Sequence, residues 1–258
     1  MMRAFMHTAK VQMGLSIARP MFKFVIVVNP LFLATLAFFI YGGSSPERVF
    51  QYVVLGSGFM ALWSSIVYSS ASEVQRERFY GTLELLFVAP VSFAAILIGK
   101  IVGNMIWGLI SMVIAFLYLV LFFRIEVPAV QPMLFFGSFA LVLIAISVFS
   151  FFLALAFTLS RQTNALMNFI EYPIYLVCGF LFPITILPDW VKPISYLLPP
   201  TWAIELLRRA TDENATWSQL ALPFSFLLGL VLVYIGFGYV CYRAVEHKAR
   251  INGKLGVY

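Results

Sequence analysis

Apolar residues make up 62% of the 258 and charged residues only 11%, where soluble chains carry roughly a quarter charged. A soluble core of this size cannot enclose that much apolar surface, so lipid is the implied solvent. The net charge of +6 sits in short segments between apolar runs, which is a membrane-topology pattern and not a nucleic-acid-binding face, and no nucleic-acid partner is expected.

The chain opens on a stretch in which Met2, Phe5, Met6, Ala9, Met13 and Ile17 fall on one helical face, with Arg3, His7, Lys10 and Arg19 largely off it. This spacing predicts a helix lying in the membrane interface over residues 1–23. No cleavable signal peptide is evident, because the first apolar run starts only near Phe24 and exceeds the usual signal core of about 7–15 residues. Six stretches then meet or approach the roughly 20 residues that a helix needs to cross hydrocarbon. They are Phe24–Tyr41, Val49–Ala71, Phe93–Phe123, Met133–Ser160, Leu166–Leu187 and Leu220–Tyr242. The expected fold is therefore an all-α integral membrane protein, one six-span domain over residues 24–243 with a cytoplasmic tail at 244–258.

Between the fifth and sixth stretches the pattern breaks. Leu187–Ala210 is apolar but holds Pro188, Pro193, Pro199 and Pro200 with Asp189 and Lys192. Proline interrupts the helix, each half is too short to cross, and a re-entrant segment over about 187–210 is expected. Six spans place both termini on one side. With the termini, the 72–92 loop with Lys100, and the loop at Arg161 inside, 12 of the 17 basic residues are cytoplasmic, and Arg48, Arg124, Lys192, Arg208 and Arg209 lie outside. The positive-inside rule favours that orientation.

The cytoplasmic loop after the second span reads E-V-Q-R-E-R-F-Y-G-T-L-E-L-L-F-V-A-P-V from Glu73 to Val91. It begins with four charges in six residues and turns apolar from Leu83, with Leu86, Phe87 and Pro90 on the same helical face. A short amphipathic helix with a break or cap at Gly81 and Thr82 is expected. Such a loop is either a docking element or a plain interfacial anchor.

Glu77–Leu86, followed by Ala89-Pro90-Val91 and Gly99-Lys100, resembles the hallmark of ABC-2 type permeases, the membrane subunits of type V ABC exporters of drugs and lipo-oligosaccharides. Ala89 stands where Thr is commoner and Phe79-Tyr80 interrupt the charge run. Asn164, Asn168, Pro173, Gly179, Phe182-Pro183, Leu187-Pro188-Asp189-Trp190 and Leu198-Pro199-Pro200-Thr201 are similar to that family's fifth span and re-entrant outer helices. The resemblance implies that 73–90 is a coupling helix seated on an ATPase subunit, with Glu73, Glu77, Arg78, Gly81, Thr82 and Glu84 at the contact. It further implies two nucleotide-binding subunits that carry ATP and Mg, a second permease copy (homodimer or heterodimer), a bacterial cytoplasmic (inner) membrane, and outward transport of an amphipathic drug, lipid or lipid-linked glycan. The chain has no phosphate-binding G-x-x-x-x-G-K-[ST] loop, so its ATPase is expected on a separate polypeptide, and no cofactor is expected in the chain itself.

Glu171 is the one clear acid in an expected span, and intramembrane acids are functional by default. With Tyr172 and Pro173 it is a candidate for the substrate path or gate, the alternative being a structural pair or cap. The tryptophans, Trp63 and Trp107 among them, read as interfacial anchors. His7 and His247 lie in terminal polar segments, Cys178 and Cys241 in apolar runs, and no metal site or catalytic set is expected. Two other readings stay open. A polysaccharide or teichoic-acid permease would need a wide aromatic-lined channel. A stand-alone secondary transporter would need inverted repeats and midplane coupling-ion residues, and neither of those is visible.

Overall fold

The computed structural model describes residues 2–68, 76, 77, 80, 81, 92–159 and 163–252, and every regular element among them is helical. In chain order, α1 is Met2–Ile17, α2 is Pro20–Tyr41 and α4 is Phe93–Phe123. The intervening helix, α3, is continuous but mixed. It runs through Pro46–Arg48, a π-helical Val49–Val54, an α-helical Leu55–Trp63 and a π-helical Ser64–Tyr68. Then follow α5 (Pro132–Leu159), α6 (Thr163–Val177), a 3-10 turn at Ile184–Ile186, α7 (Lys192–Leu197), α8 (Pro199–Ala210) and α9 (Trp217–Asn252).

Five of these helices, α2 to α5 and α9, are long and apolar enough to cross a membrane. Their ends have local causes. Pro20 and Pro46 open α2 and α3 at first-turn positions, where proline's missing N–H is no loss. Ser92 caps α4 by accepting from the Ala95 amide at 3.4 Å, and Arg124 in the left-handed region stops that helix at its far end.

Helix α3 is the centre of the bundle: 89% of its apolar stretch is buried, against 22% for α2 and for α4. Helices α1, α2 and α3 pack along α4, while α8 and α9 pack along α5. The aromatic centre forms where α3 meets α5 and the turn after α6, with Phe59 edge-on to Phe180 at 4.9 Å and Trp63 against Phe149 at 5.8 Å. Trp63 is thus 1% exposed and fills the core. Its expected place in an interfacial belt is corrected by its helix being enclosed on all sides. Trp107 anchors differently again, with Nε1 donating to the Met13 carbonyl at 3.1 Å.

Three further elements carry detail beyond the hydropathy pattern. The fifth stretch, 166–187, is not one unbroken helix. The described part of α6 has 15 residues, about 22 Å at 1.5 Å each, and ends where Gly179 takes φ +75°, a backbone that side-chain-bearing residues adopt only under strain. Helices α7 and α8 form a hairpin whose tip sits beside the middle of α9. Tyr234 OH donates to the Leu197 carbonyl at 3.4 Å, and Trp202 stacks on Phe226 at 4.5 Å. At the exposed start of the hairpin, the hydrogen bond from Lys192 to Asp189 (2.7 Å) and its charge hold the Asp189 carboxyl below the usual carboxylate range. A pair this exposed adds little to stability.

The third is α1. It docks through Ala9, which lies on the apolar face expected from Met2, Phe5, Met6, Ala9, Met13 and Ile17, and through Gln12 and Ser16 beside that face. Ala9, Gln12 and Ser16 are buried, whereas Met6, Val11 and Leu15 are 65%, 59% and 52% exposed. Small and polar residues let helix backbones approach closely in a bilayer, where apolar side chains gain nothing by leaving lipid.

Candidate functional site

Three polar constellations are embedded in this apolar bundle. The first lies near the N-terminal end of α4, where Glu77 meets Lys100. Of the residues expected to meet an ATPase, Glu77 and Gly81 are described, and Glu73, Arg78, Thr82 and Glu84 lie outside the described residues, as does the apolar face from Leu83 to Pro90. The Tyr80 amide donates to the Arg76 carbonyl at 2.9 Å, one helical turn. Gly81 follows it with φ +68° and no neighbour within 4 Å of a would-be Cβ, so glycine is required there by the turn and not by space. The Glu77 carboxylate accepts from the Lys100 ammonium, an ion pair with side-chain exposures of 22% and 11%. Lys100 belongs to the Gly-Lys pair about two turns into α4, so Glu77 of the loop is tied ionically to that helix.

One turn further along α4, the N-terminal helix is fixed to the same segment. Asn104 Oδ1 accepts from Ser16 Oγ at 3.1 Å and from Gln12 Nε2 at 3.3 Å, and Gln12 also donates to Ser16 Oγ at 3.0 Å. A Cβ at Gly103 would stand 2.8 Å from the Ala9 carbonyl oxygen, so only glycine admits this approach. Within eight positions, Lys100 to Trp107, helix α4 therefore holds both the loop and the N-terminal helix. Neither Asn104 nor Gln12 carried a sequence signal beyond being polar inside an apolar pattern.

The second constellation is intramembrane. Glu171 on α6 accepts at Oε1 from Ser64 Oγ and from Tyr175 OH, each at 2.8 Å, and the two hydroxyls are themselves in hydrogen-bond contact. Ser64 and Tyr175 are 1% and 7% exposed. Ser64 begins a π-helical turn of α3, and such widened turns frequently occur at functional positions. Tyr175 sits one turn beyond Glu171, where i and i+4 side chains meet. Tyr172 is 66% exposed, with its ring edge-on to Tyr175 at 6.2 Å. Pro173, also exposed, removes one helical hydrogen bond beside this group. The three residues expected together on α6 thus adjoin one polar cluster. The two hydroxyls that complete it were not legible, because one comes from a helix 107 positions away.

The third constellation is at the opposite end of α3. Arg208 on α8 is 6% exposed. Its Nη2 donates to the Phe180 carbonyl at 2.8 Å and its Nε to the Gln51 carbonyl at 3.4 Å, and its guanidinium lies 4.2 Å from the Tyr52 ring centroid. Tyr52 stacks on Tyr41 at 5.2 Å, and Tyr41 OH donates to the Leu181 carbonyl at 2.8 Å. One cation thereby fastens the hairpin to α3 and to the turn after α6. Beside this end a cavity of about 530 Å³ opens, with Glu47, Glu126, Asp212 and Glu213 among its lining residues. Among the described residues no cluster has the composition of a metal site.

The profile of the ABC-2 family transporter proteins matches residues 33–240, from within α2 to the middle of α9 and across all three constellations. No curated protein matches the chain. Membership implies a multi-pass membrane subunit that pairs with an ABC ATPase subunit and is not itself the ATPase. The long apolar helices and the match over most of the length agree, and the chain belongs to the ABC-2 transporter family.

Proposed function

We propose that this chain is the permease of an ATP-driven exporter, carrying an amphipathic drug, lipid or lipid-linked glycan outward from the cytoplasm or inner leaflet. Two such permeases, most simply identical, stand on two nucleotide-binding subunits that hold ATP and Mg in a bacterial cytoplasmic membrane, with the permease termini on the cytoplasmic side. The observation that carries the reading is the Glu77–Lys100 pair. A loop that receives a push from an ATPase transmits it only if it is fixed to a span, and this loop is fixed to α4. Closure of the ATPase pair would then move α4 together with the N-terminal helix held at Asn104, opening a path between the two permeases by rigid-body rocking.

Affinity purification of the tagged chain from its native membranes tests the reading. The expected result is a nucleotide-binding subunit that co-purifies in equal amount and hydrolyses ATP. A permease that is recovered intact and active in transport without any such subunit would overturn it.

A further inference from the structure

We propose that the Glu171 cluster is the recognition site for the positively charged head of an amphipathic cation, an ammonium or phosphonium group on an apolar body. The proposal rests on the exporter reading, since it names the class of cargo that such a permease would take.

Glu171 is held by its neighbours but not satisfied by them. Both hydroxyl donors converge on Oε1, and Oε2 receives no hydrogen bond among the described residues. Nor is Oε2 sealed in, because the fully enclosed unpartnered atoms are Gln12 Oε1, Ser65 Oγ and Thr201 Oγ1. No lysine or arginine among the described residues forms an ion pair with it; the pairs involve Lys100, Lys192 and Arg209. A carboxylate within an apolar bundle is costly without a counter-charge, and two hydroxyls supply dipoles but no charge. Their arrangement engages one oxygen and leaves the other without a hydrogen bond among the described residues, available to a donor or cation. Tyr172, the next residue on α6, adds an exposed aromatic ring that stands edge-on to Tyr175 of the cluster at 6.2 Å, a second element that favours cations and tolerates bulky substituents. Tyr172, Pro173 and Leu176 are all exposed on the same helix and offer an apolar surface near the cluster for the body of such a cation. At the far end of the bundle the cavity lined by Glu47, Glu126, Asp212 and Glu213 carries the same sign of charge and attracts the same class of molecule.

The probe is radiolabelled tetraphenylphosphonium, and its isosteric anion, tetraphenylborate, is the control. Binding is measured on the purified full-length permease in maltoside detergent without nucleotide, so the result does not depend on any ATPase partner. The wild type is expected to bind the phosphonium and not the borate. Glu171→Gln, which keeps the shape and an oxygen for Ser64 and Tyr175, is expected to weaken phosphonium binding about tenfold or more. Tyr172→Leu, at an exposed position outside the hydrogen-bonded group, is expected to weaken it about threefold, with Tyr172→Phe restoring it. Added phosphatidylethanolamine separates the two sources of such a head group. Displacement of the probe assigns the site to a lipid ammonium, and persistence assigns it to a soluble cation. Wild-type protein that binds neither ion, borate binding equal to phosphonium, or unchanged binding in both Glu171→Gln and Tyr172→Leu would overturn the proposal while leaving the exporter reading to its own co-purification test.

Discussion

Substituting Arg208 with methionine is expected to destabilise the protein by about 3 kcal/mol, because hydrogen bonds from a charged donor are worth roughly 1.5–3 kcal/mol each and an orphaned buried carbonyl costs a comparable amount. The guanidinium serves the Phe180 and Gln51 carbonyls at once and lies flat against Tyr52. Methionine fills the volume but leaves both carbonyls without their donor, in a region where water does not compete. The desolvation released by removing a buried charge offsets part of this, which keeps the estimate below the sum of the contacts. Arg208→Lys is expected to recover less than half of the loss. A single ammonium reaches one carbonyl and does not present a flat face to the ring. Thermal unfolding of the purified variants ranks them, and a double-mutant cycle with Tyr52→Leu should give a coupling of about 1 kcal/mol. An Arg208→Met protein as stable as wild type would show that the hairpin is held by α5 and α9 packing alone.

Reversing Glu77 to lysine is expected to cost about 3 kcal/mol and to abolish coupled transport. It opposes two cations at a site where the Lys100 side chain is only 11% exposed, and disruption of a buried pair costs roughly 3–5 kcal/mol; the 22% exposure of Glu77 favours the low end. The single variants Glu77→Lys and Lys100→Glu should both be impaired, and the charge-swapped double variant should regain a substantial part of stability and of ATP-driven transport. The recovery is the informative quantity. A pair that merely anchors the loop would restore thermal stability when swapped without restoring the ratio of transport to ATP hydrolysis. A pair that transmits motion restores both. Two single variants with wild-type stability and coupling would remove the ion pair from the account.

Much of the fold was legible, and for a physical reason. A bilayer demands about 20 consecutive apolar residues and satisfied backbone groups, so hydropathy and length suffice for span placement. The run Phe93–Phe123 coincides with α4 at both ends. Where a helix is bounded by tertiary contacts the same reading drifts, as for 166–187, which stops at Val177 because the chain turns at Gly179 to meet Arg208. The site was legible only on one side of each contact. Glu171 stood out because an acid in an apolar run is rare; Ser64 and Tyr175 did not, since hydroxyls are common in spans and their partner is set by how helices cross. Lys100 entered through a motif, yet its buried pairing with Glu77 depends on how the loop folds back. The docking face of α1 was legible only in part, for a related reason. Amphipathic periodicity finds an apolar face but does not distinguish lipid from protein as its neighbour, and here Gln12 and Ser16 make the dock while Met6 and Leu15 are exposed.

The central claim is that this permease receives its energy through the 73–90 loop. A photo-reactive amino acid placed at Glu84, the acid of the loop's Gly-Thr-x-Glu motif, reads that contact in intact cells. The account predicts a single dominant cross-link to a nucleotide-binding subunit, strengthened or weakened by trapping the ATPase with vanadate. Cross-links only to lipid or to the permease itself, in cells where ATP-dependent export proceeds normally, would contradict it.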